Sequence, residues 1–517
     1  MSFSIERYKE ESKKVDITGI AWEEVAAHPL SKGDLFCLHY MMDIENHVPL
    51  YLSHLLVTRA CMDPILTAFL ACWNYEELWH GENIGRLLNL YGIEFDTQER
   101  IANVRANLGF QNSVSLMSTM AGSWLLKDFS AVYLTIGAIN ELSTLTGYGA
   151  LIRKSGHPVL KDLLSRIIKD ERRHYAFYFN SAKEWLSGNA RAQKIDRWML
   201  DRVWVPVEVD MSFSIERYKE ESKKVDITGI AWEEVAAHPL SKGDLFCLHY
   251  MMDIENHVPL YLSHLLVTRA CMDPILTAFL ACWNYEELWH GENIGRLLNL
   301  YGIEFDTQER IANVRANLGF QNSVSLMSTM AGSWLLKDFS AVYLTIGAIN
   351  ELSTLTGYGA LIRKSGHPVL KDLLSRIIKD ERRHYAFYFN SAKEWLSGNA
   401  RAQKIDRWML DRVWVPVGQG VKKQEEVDAL AMYLFDDEQG EEELLDLDSR
   451  IGKLPGLSGI KLMSRALDAA RERVRHNPKW AWRMIDNEEW AVKPPKHSSV
   501  GELTTRRTPQ AEEAVAP

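Results

Sequence analysis

The chain is poor in cysteine, in net positive charge, in long apolar runs and in strand-like alternation. Each shortage closes a class of answers. Its six cysteines are three positions, Cys37, Cys61 and Cys72, met again as Cys247, Cys271 and Cys282. They form no Cys-x-x-Cys pair and no disulfide-like framework, which fits a reducing, cytoplasmic setting. Thiolate ligation of the zinc-finger kind is therefore not expected. Lysine and arginine number 59 against 69 acidic residues, a formal charge of -10, so no basic footprint for nucleic acid is present. No apolar run reaches the roughly 18 residues of a membrane span, and no secretory leader is seen. No segment of any length alternates apolar and polar residues, so the class expected is all-α. What is present is apolar mass: 46% of residues are hydrophobic and 10% aromatic, enough for a large core.

Variation between the halves is also missing. Residues 1–207 recur without a change as 211–417, and 208–210 are the only joint. Natural repeats drift, because packing tolerates many substitutions. Identity over this length means a very recent duplication, an engineered tandem or an error in assembling the sequence. Each copy is expected to fold as its own bundle. Residues 418–493 follow only the second copy and read as a helical extension, so copy one looks truncated. The last stretch, 494–517, is rich in Pro, Ser, Thr, Glu and Ala and is expected to be disordered.

Within one copy, a helix is expected over 31–59. It carries Glu45 and is kinked there, because Pro49 cannot donate to the Glu45 carbonyl. Asp63-Pro64 reads as the N-cap and first residue of a second helix that stops near Gly92. Residues 93–111 form a connection. A third helix over 113–153 carries Glu141, and a fourth runs from Pro158 to about 186. A further amphipathic piece spans 189–203. In the tail, 424–448 reads as acidic helix, 454–459 as a turn, and the following residues to about 475 as a basic helix.

The chemistry gathers on these helices. The stretch 70–83, LACWNYEELWHGEN, holds Glu77-x-x-His80, and the fourth helix holds Glu171-x-x-His174. Residues three apart share a helix face, so each carboxylate points with its imidazole. The surroundings are apolar, and a buried Glu is costly unless a cation or partner compensates it. Glu45 lies one helix upstream of the first pair and Glu141 one helix upstream of the second. Two such hairpins face to face would bring four carboxylates and two imidazoles to one level of a four-helix bundle. Two divalent ions would neutralise the four negative charges, and imidazole with carboxylate suits Fe or Mn. The expected metal ligands are Glu45, Glu77, His80, Glu141, Glu171 and His174, repeated as Glu255, Glu287, His290, Glu351, Glu381 and His384. Solvated Glu/His pairs on helix surfaces are the plain alternative.

At these residues the chain resembles the soluble acyl-acyl-carrier-protein desaturases, a ferritin-like di-iron family. Their first motif is like EEALPTY, and Glu45-Asn-His-Val-Pro-Leu-Tyr51 matches at Glu, Pro and Tyr. Their second is like W-x-x-EENRHG, and 73–81 matches at Trp73, Glu76, Glu77, His80 and Gly81. Their last is like DEKRHE, and Asp170-Glu-Arg-Arg-His174 differs at one of the first five places. The resemblance covers about 20–190 of each copy. It implies a ferritin-like four-helix bundle with two Fe ions (or Mn/Fe), present in two tandem copies. It implies O2-dependent removal of hydrogen from an unactivated C–H bond of an acyl chain or other hydrophobic substrate. Electrons would come from a ferredoxin-like donor, with an acyl carrier protein as a further partner. It also implies that Thr144 and Thr354 stand near the O2 site and that Asp170 and Asp380 support a ligand histidine on the electron route. Trp22 and Trp232 would be the partner tryptophans of that route; core packing is the plainer role for them, as a bond to a preceding carbonyl is for the threonines.

Departures from the family are plain. Leu78 and Trp79 replace polar and basic residues before His80, and each copy is shorter at its N-terminus. A long acyl cavity is therefore not assured. A di-iron hydroxylase or N-oxygenase would use the same ligands, and a non-enzymatic iron-binding bundle is a third reading. The family commonly forms homodimers, so the two copies are expected to pair with each other or across chains.

Overall fold

The computed structural model describes residues 15–93, 119, 129–200, 225–268, 272–303, 311, 329, 338–419, 421–487 and 490. Among them the chain is helical and contains no β-strand. It divides into two compact units. The first comprises Met1–Lys224 with His257–Leu288 and Ile311–Tyr343 of the second copy. The second comprises Val225–Asn256, Trp289–Arg310 and Leu344–Pro517. No described helix is long and apolar enough to cross a membrane.

In the first unit, α1 (Lys32–Glu45) begins at a reciprocal cap. The Ser31 side chain accepts from the Asp34 amide at 3.1 Å, and the Asp34 carboxylate accepts from the Ser31 amide at 3.1 Å. The expected kink at Pro49 is a full break. Glu45 ends α1, Asn46 and His47 form a turn, and α2 (Val48–Leu56) restarts with Pro49 in its first turn. Proline has no amide to offer there and its φ is preset, so restarting a helix costs less than bending one around it.

Helix α3 (Pro64–Asn89) is capped by Asp63, whose Oδ1 accepts from the amides of Ile65 at 2.8 Å and Leu66 at 3.0 Å. It is buried on almost every side from Leu66 to Leu88, as a central helix must be. Helix α4 (Phe129–Ser155) and helix α5 (Pro158–Leu186) form a hairpin around Gly156, whose φ of +62° takes the chain through the left-handed turn. Residues 113–118 and 120–128, where the third helix was expected to start, lie outside the described residues, as do 94–111 and 494–517. Helix α6 (Ala190–Leu200) follows.

Helix α1 packs on α3 and α4, and α5 packs on the same two. The four helices thus close a ring around one interior. Segments of the second copy join this unit: α8 (Val258–Leu266) packs on α2, and Tyr285 stacks on Tyr75 with ring centres 4.9 Å apart.

The second copy repeats the helices as α7 (Lys242–Glu255), α9 (Pro274–Leu300), α10 (Phe339–Ser365), α11 (Pro368–Leu396) and α12 (Ala400–Arg412). The extension is α13 (Gln424–Phe435), α14 (Glu438–Ile451), α15 (Met463–His476) and α16 (Pro478–Ile485). The acidic stretch 424–448, expected to be helical, is two helices. Asp437 stops the first and caps the second, accepting from the Gly440 amide at 2.7 Å. Helices α13 and α16 both lie on α7. The Arg363 guanidinium of α10 donates to Glu443 at 3.0 Å and Asp437 at 3.2 Å, fixing α14 to the same bundle.

Candidate metal centre

In the first unit the six expected side chains meet. Glu45 sits at the last turn of α1, Glu77 and His80 on α3, Glu141 on α4, Glu171 and His174 on α5. All six are buried, none more than 5% exposed. One set of donor atoms from Glu45, Glu77, His80 and Glu171 lies within 4.8 Å of one another, and so does a set from Glu77, Glu141, Glu171 and His174. Glu77 and Glu171 belong to both sets. The arrangement therefore has two adjoining sites, each with one carboxylate and one imidazole of its own.

The imidazoles are aimed. His80 Nδ1 faces inward, 2.9 Å from Glu77 and 3.1 Å from Glu171. His174 Nδ1 lies 3.0 Å from Glu77 and 3.3 Å from Glu171. Their outer nitrogens are held by acids from the opposite helix: His80 Nε2 by Asp170 at 3.4 Å, His174 Nε2 by Glu76 at 2.9 Å. Arg173 pairs with both acids, at 2.8 Å to Asp170 and 2.9 Å to Glu76. Such outer bonds set the tautomer and the ring orientation of a ligating histidine. The sequence reading named Asp170 and missed Glu76. The signal was there: each Glu-x-x-His is preceded by another acid, Glu76 before Glu77 and Asp170 before Glu171.

The outer carboxylates are also anchored. Trp73 Nε1 donates to Glu141 at 3.0 Å, and the Tyr148 hydroxyl donates to Glu45. Phe69 stacks on Phe177 at 3.7 Å and meets the edge of His174. Aromatic rings thus seal one side of the cluster from water.

The electrostatics divide the four carboxylates. Burial pushes Glu45 and Glu141 well above the usual range, and neighbouring carboxylates add to it. Burial acts the same way on Glu77, but the bond with Glu45 and the two imidazoles outweigh it and hold it well below. Glu171 is lowered too, its burial and the nearby Glu77 being overcome by bonds to both histidines. Burial alone would lower His80 and His174, yet the adjacent Glu77 and the other acids raise both well above an ordinary imidazole. Without a cation, then, the surroundings favour charge on Glu77 and Glu171 and protons on Glu45, Glu141 and the two imidazoles. The donor set is carboxylate oxygen and imidazole nitrogen, buried and drawn close together from four helices. These residues fit divalent metal ions.

The second unit repeats what it contains. Donor atoms of Glu255, His290 and Glu381 lie within 4.8 Å of one another, as do those of Glu351, Glu381 and His384. His290 Nδ1 is 3.2 Å from Glu381, and His384 Nδ1 is 3.1 Å from Glu381 and 3.6 Å from Glu351. Tyr358 donates to Glu255. Asp380 stands 3.4 Å from His290 Nε2. Burial would raise the Asp380 carboxyl, but the His290 imidazole and then Arg383 hold it at about 2. Glu287 lies one helical turn before His290 on α9.

Of the other expected residues, Thr144 lies one turn after Glu141 on α4, and its counterpart Thr354 lines a cavity together with Glu255. Trp22 lies away from the cluster. Its ring is covered by the Arg86 guanidinium at 4.9 Å, beyond His80 along α3. Trp232, its counterpart, is buried in the first turn of a short 3₁₀ helix, Trp232–Ala237.

No known family model, no curated protein and no solved structure matches this chain.

Proposed function

We propose that each cluster is a dinuclear iron centre of a ferritin-like bundle, and that the protein is an O2-dependent oxidoreductase of the desaturase kind. The observation that carries this reading is the pair of four-residue sets sharing Glu77 and Glu171 inside a sealed interior. Glu45 with His80 would hold one ion and Glu141 with His174 the other, with Glu77 and Glu171 between them. When bound, ferrous ions in such a pair supply reduction of O2 and removal of hydrogen from an unactivated C–H bond. The chain's own residues do the rest. Glu76 and Asp170 keep the inward nitrogens unprotonated and in place once metal is present. Tyr148 and Trp73 hold the outer carboxylates against rotation. Phe69, Phe177 and Tyr178 exclude water, which protects a reactive centre from side reactions.

Electrons must reach the cluster from outside, and Asp170, 17% exposed beside buried His80, is the natural point of entry. A ferredoxin-like donor fits that need. Metal-loaded protein given reductant and O2 should consume both in the presence of an oxidisable hydrophobic compound. The double substitution Glu171→Ala with Glu381→Ala, one in each bundle, should abolish bound iron and uptake together. Full oxygen uptake in that variant would contradict the reading.

A further inference from the structure

The two bundles have identical sequences and different surroundings. In the first copy Phe36 is 71% exposed and Tyr40 is 60% exposed; their counterparts Phe246 and Tyr250 are each 2% exposed. The difference is the extension. Tyr433 packs over Gly243 and bonds to Asp244 at 3.0 Å, and Trp490 meets Phe246 with ring centres 6.0 Å apart. The Tyr250 hydroxyl donates to the Val417 carbonyl at 2.8 Å, and Lys422 pairs with Asp253 at 2.5 Å. Copy one is followed by 208–210 and a new start, so no counterpart of 424–476 exists for it.

The extension does not merely cover α7. It also walls a half-open pocket of about 120 Å³ between α7, α10, α13 and α15. More than half of the lining comes from the extension, mostly Leu, Ala, Val, Phe and Met, with Ala431 and Ala470 among the small residues. The lining includes Glu255, a member of the second cluster, and Thr354. It also includes Asp428, which is buried and neutralised by Arg473 through two bonds of 2.8 Å. Apart from this pair, the extension's share of the lining is apolar. An engineered apolar cavity of about 150 Å³ stays dry and takes up benzene, so this one has room for a single ring or a short alkyl group. A long acyl chain would not fit wholly inside that volume.

We propose that the extension and the second bundle together form the binding site for a compact apolar substrate group, and that the first bundle, identical in sequence, does not bind it. The substrate role rests on the oxidoreductase reading above; the cavity and its asymmetry do not. The reactive end of the ligand lies at Glu255 and Thr354, and the extension, rather than the duplicated bundle, decides what fits.

Toluene and palmitate serve as probes of the full-length, metal-free protein with 13C-labelled methionine methyl groups. Met251 and Met463 line the cavity, and Met41 is the counterpart of Met251 in the first copy. Toluene should bind once per chain and shift the Met251 and Met463 signals while Met41 stays still. Ala470→Leu and, separately, Ala431→Leu should each weaken binding tenfold or more, with helicity and melting temperature retained. Two sites per chain, a moving Met41, unchanged binding in both folded variants or palmitate displacing toluene at lower concentration would each overturn the proposal. Iron binding is measured on the same samples. Toluene uptake without iron uptake would sink the oxidoreductase reading and leave the cavity standing; iron uptake without toluene uptake would do the reverse.

Discussion

Glu77 and Glu171 differ from Glu45 and Glu141 in company rather than in burial. Bonds to imidazoles, and for Glu77 the bond with Glu45, hold the first two low; burial and neighbouring carboxylates push the second two up. Glu45, Glu141, His80 and His174 are all shifted toward their protonated forms in the metal-free cluster, and cations would compete with those protons. Metal binding should therefore release protons. Affinity should rise as pH rises through the neutral range, because fewer protons then have to be displaced. Titration of ferrous iron into weakly buffered, oxygen-free protein, read by a pH indicator, measures the count. Release of none would mean that the ions bind elsewhere. Glu76 and Asp170 act one step further out. Glu76→Gln or Asp170→Asn keeps the shape and weakens the grip on the outer nitrogen. Each should cost roughly 10- to 100-fold in iron affinity of the first bundle, measured by competition with a chelator.

At the scale of elements, the caps were legible and the breaks were not. Asp63-Pro64 and Pro158 mark helix starts because side-chain oxygen and preset φ act locally, and the structure puts α3 and α5 there. The six clustered residues were legible because a period of three along one helix is a local property too. The break at 46–47 and the split at Asp436-Asp437 were not, since either residue pair could sit inside a helix until packing decides. Helix α16 was expected only as part of a helical extension, and Glu76 was given no role because its partner is on another helix. Close contact between elements is equally invisible in sequence. A Cβ on Gly137 of α4 would stand 2.6 Å from the Tyr178 ring of α5. Tyr178 is fully enclosed and meets Trp73, which holds Glu141. Gly137→Ala should thus destabilise the protein by about 1–3 kcal/mol despite its better helix propensity, a loss readable in urea unfolding. A more stable variant would mean that the α4–α5 contact is looser than described.

For the whole molecule, the question is why one chain would carry two identical bundles. Tyr75 stacked on Tyr285 and α2 packed on α8 show segments of both copies sharing one core. The extension, however, serves only the second copy, so equal sequences need not have equal work. Oxidation of a compact apolar substrate should fall at least 100-fold in Glu381→Ala and persist in Glu171→Ala, as measured by product formed per iron. Equal losses in the two variants would place turnover in both bundles. None of this asymmetry is readable from the repeat itself, because it arises from the packing of the residues after 417 onto α7 and α10.

The central claim is that buried carboxylates and imidazoles close around pairs of iron ions. Anomalous diffraction at the iron edge, from crystals of the full chain grown with ferrous iron under nitrogen, tests it most directly. The account predicts two peaks in the first bundle, one flanked by Glu45 and His80 and the other by Glu141 and His174, both touching Glu77 and Glu171. A cluster without iron, or iron bound only on the protein surface, would contradict it.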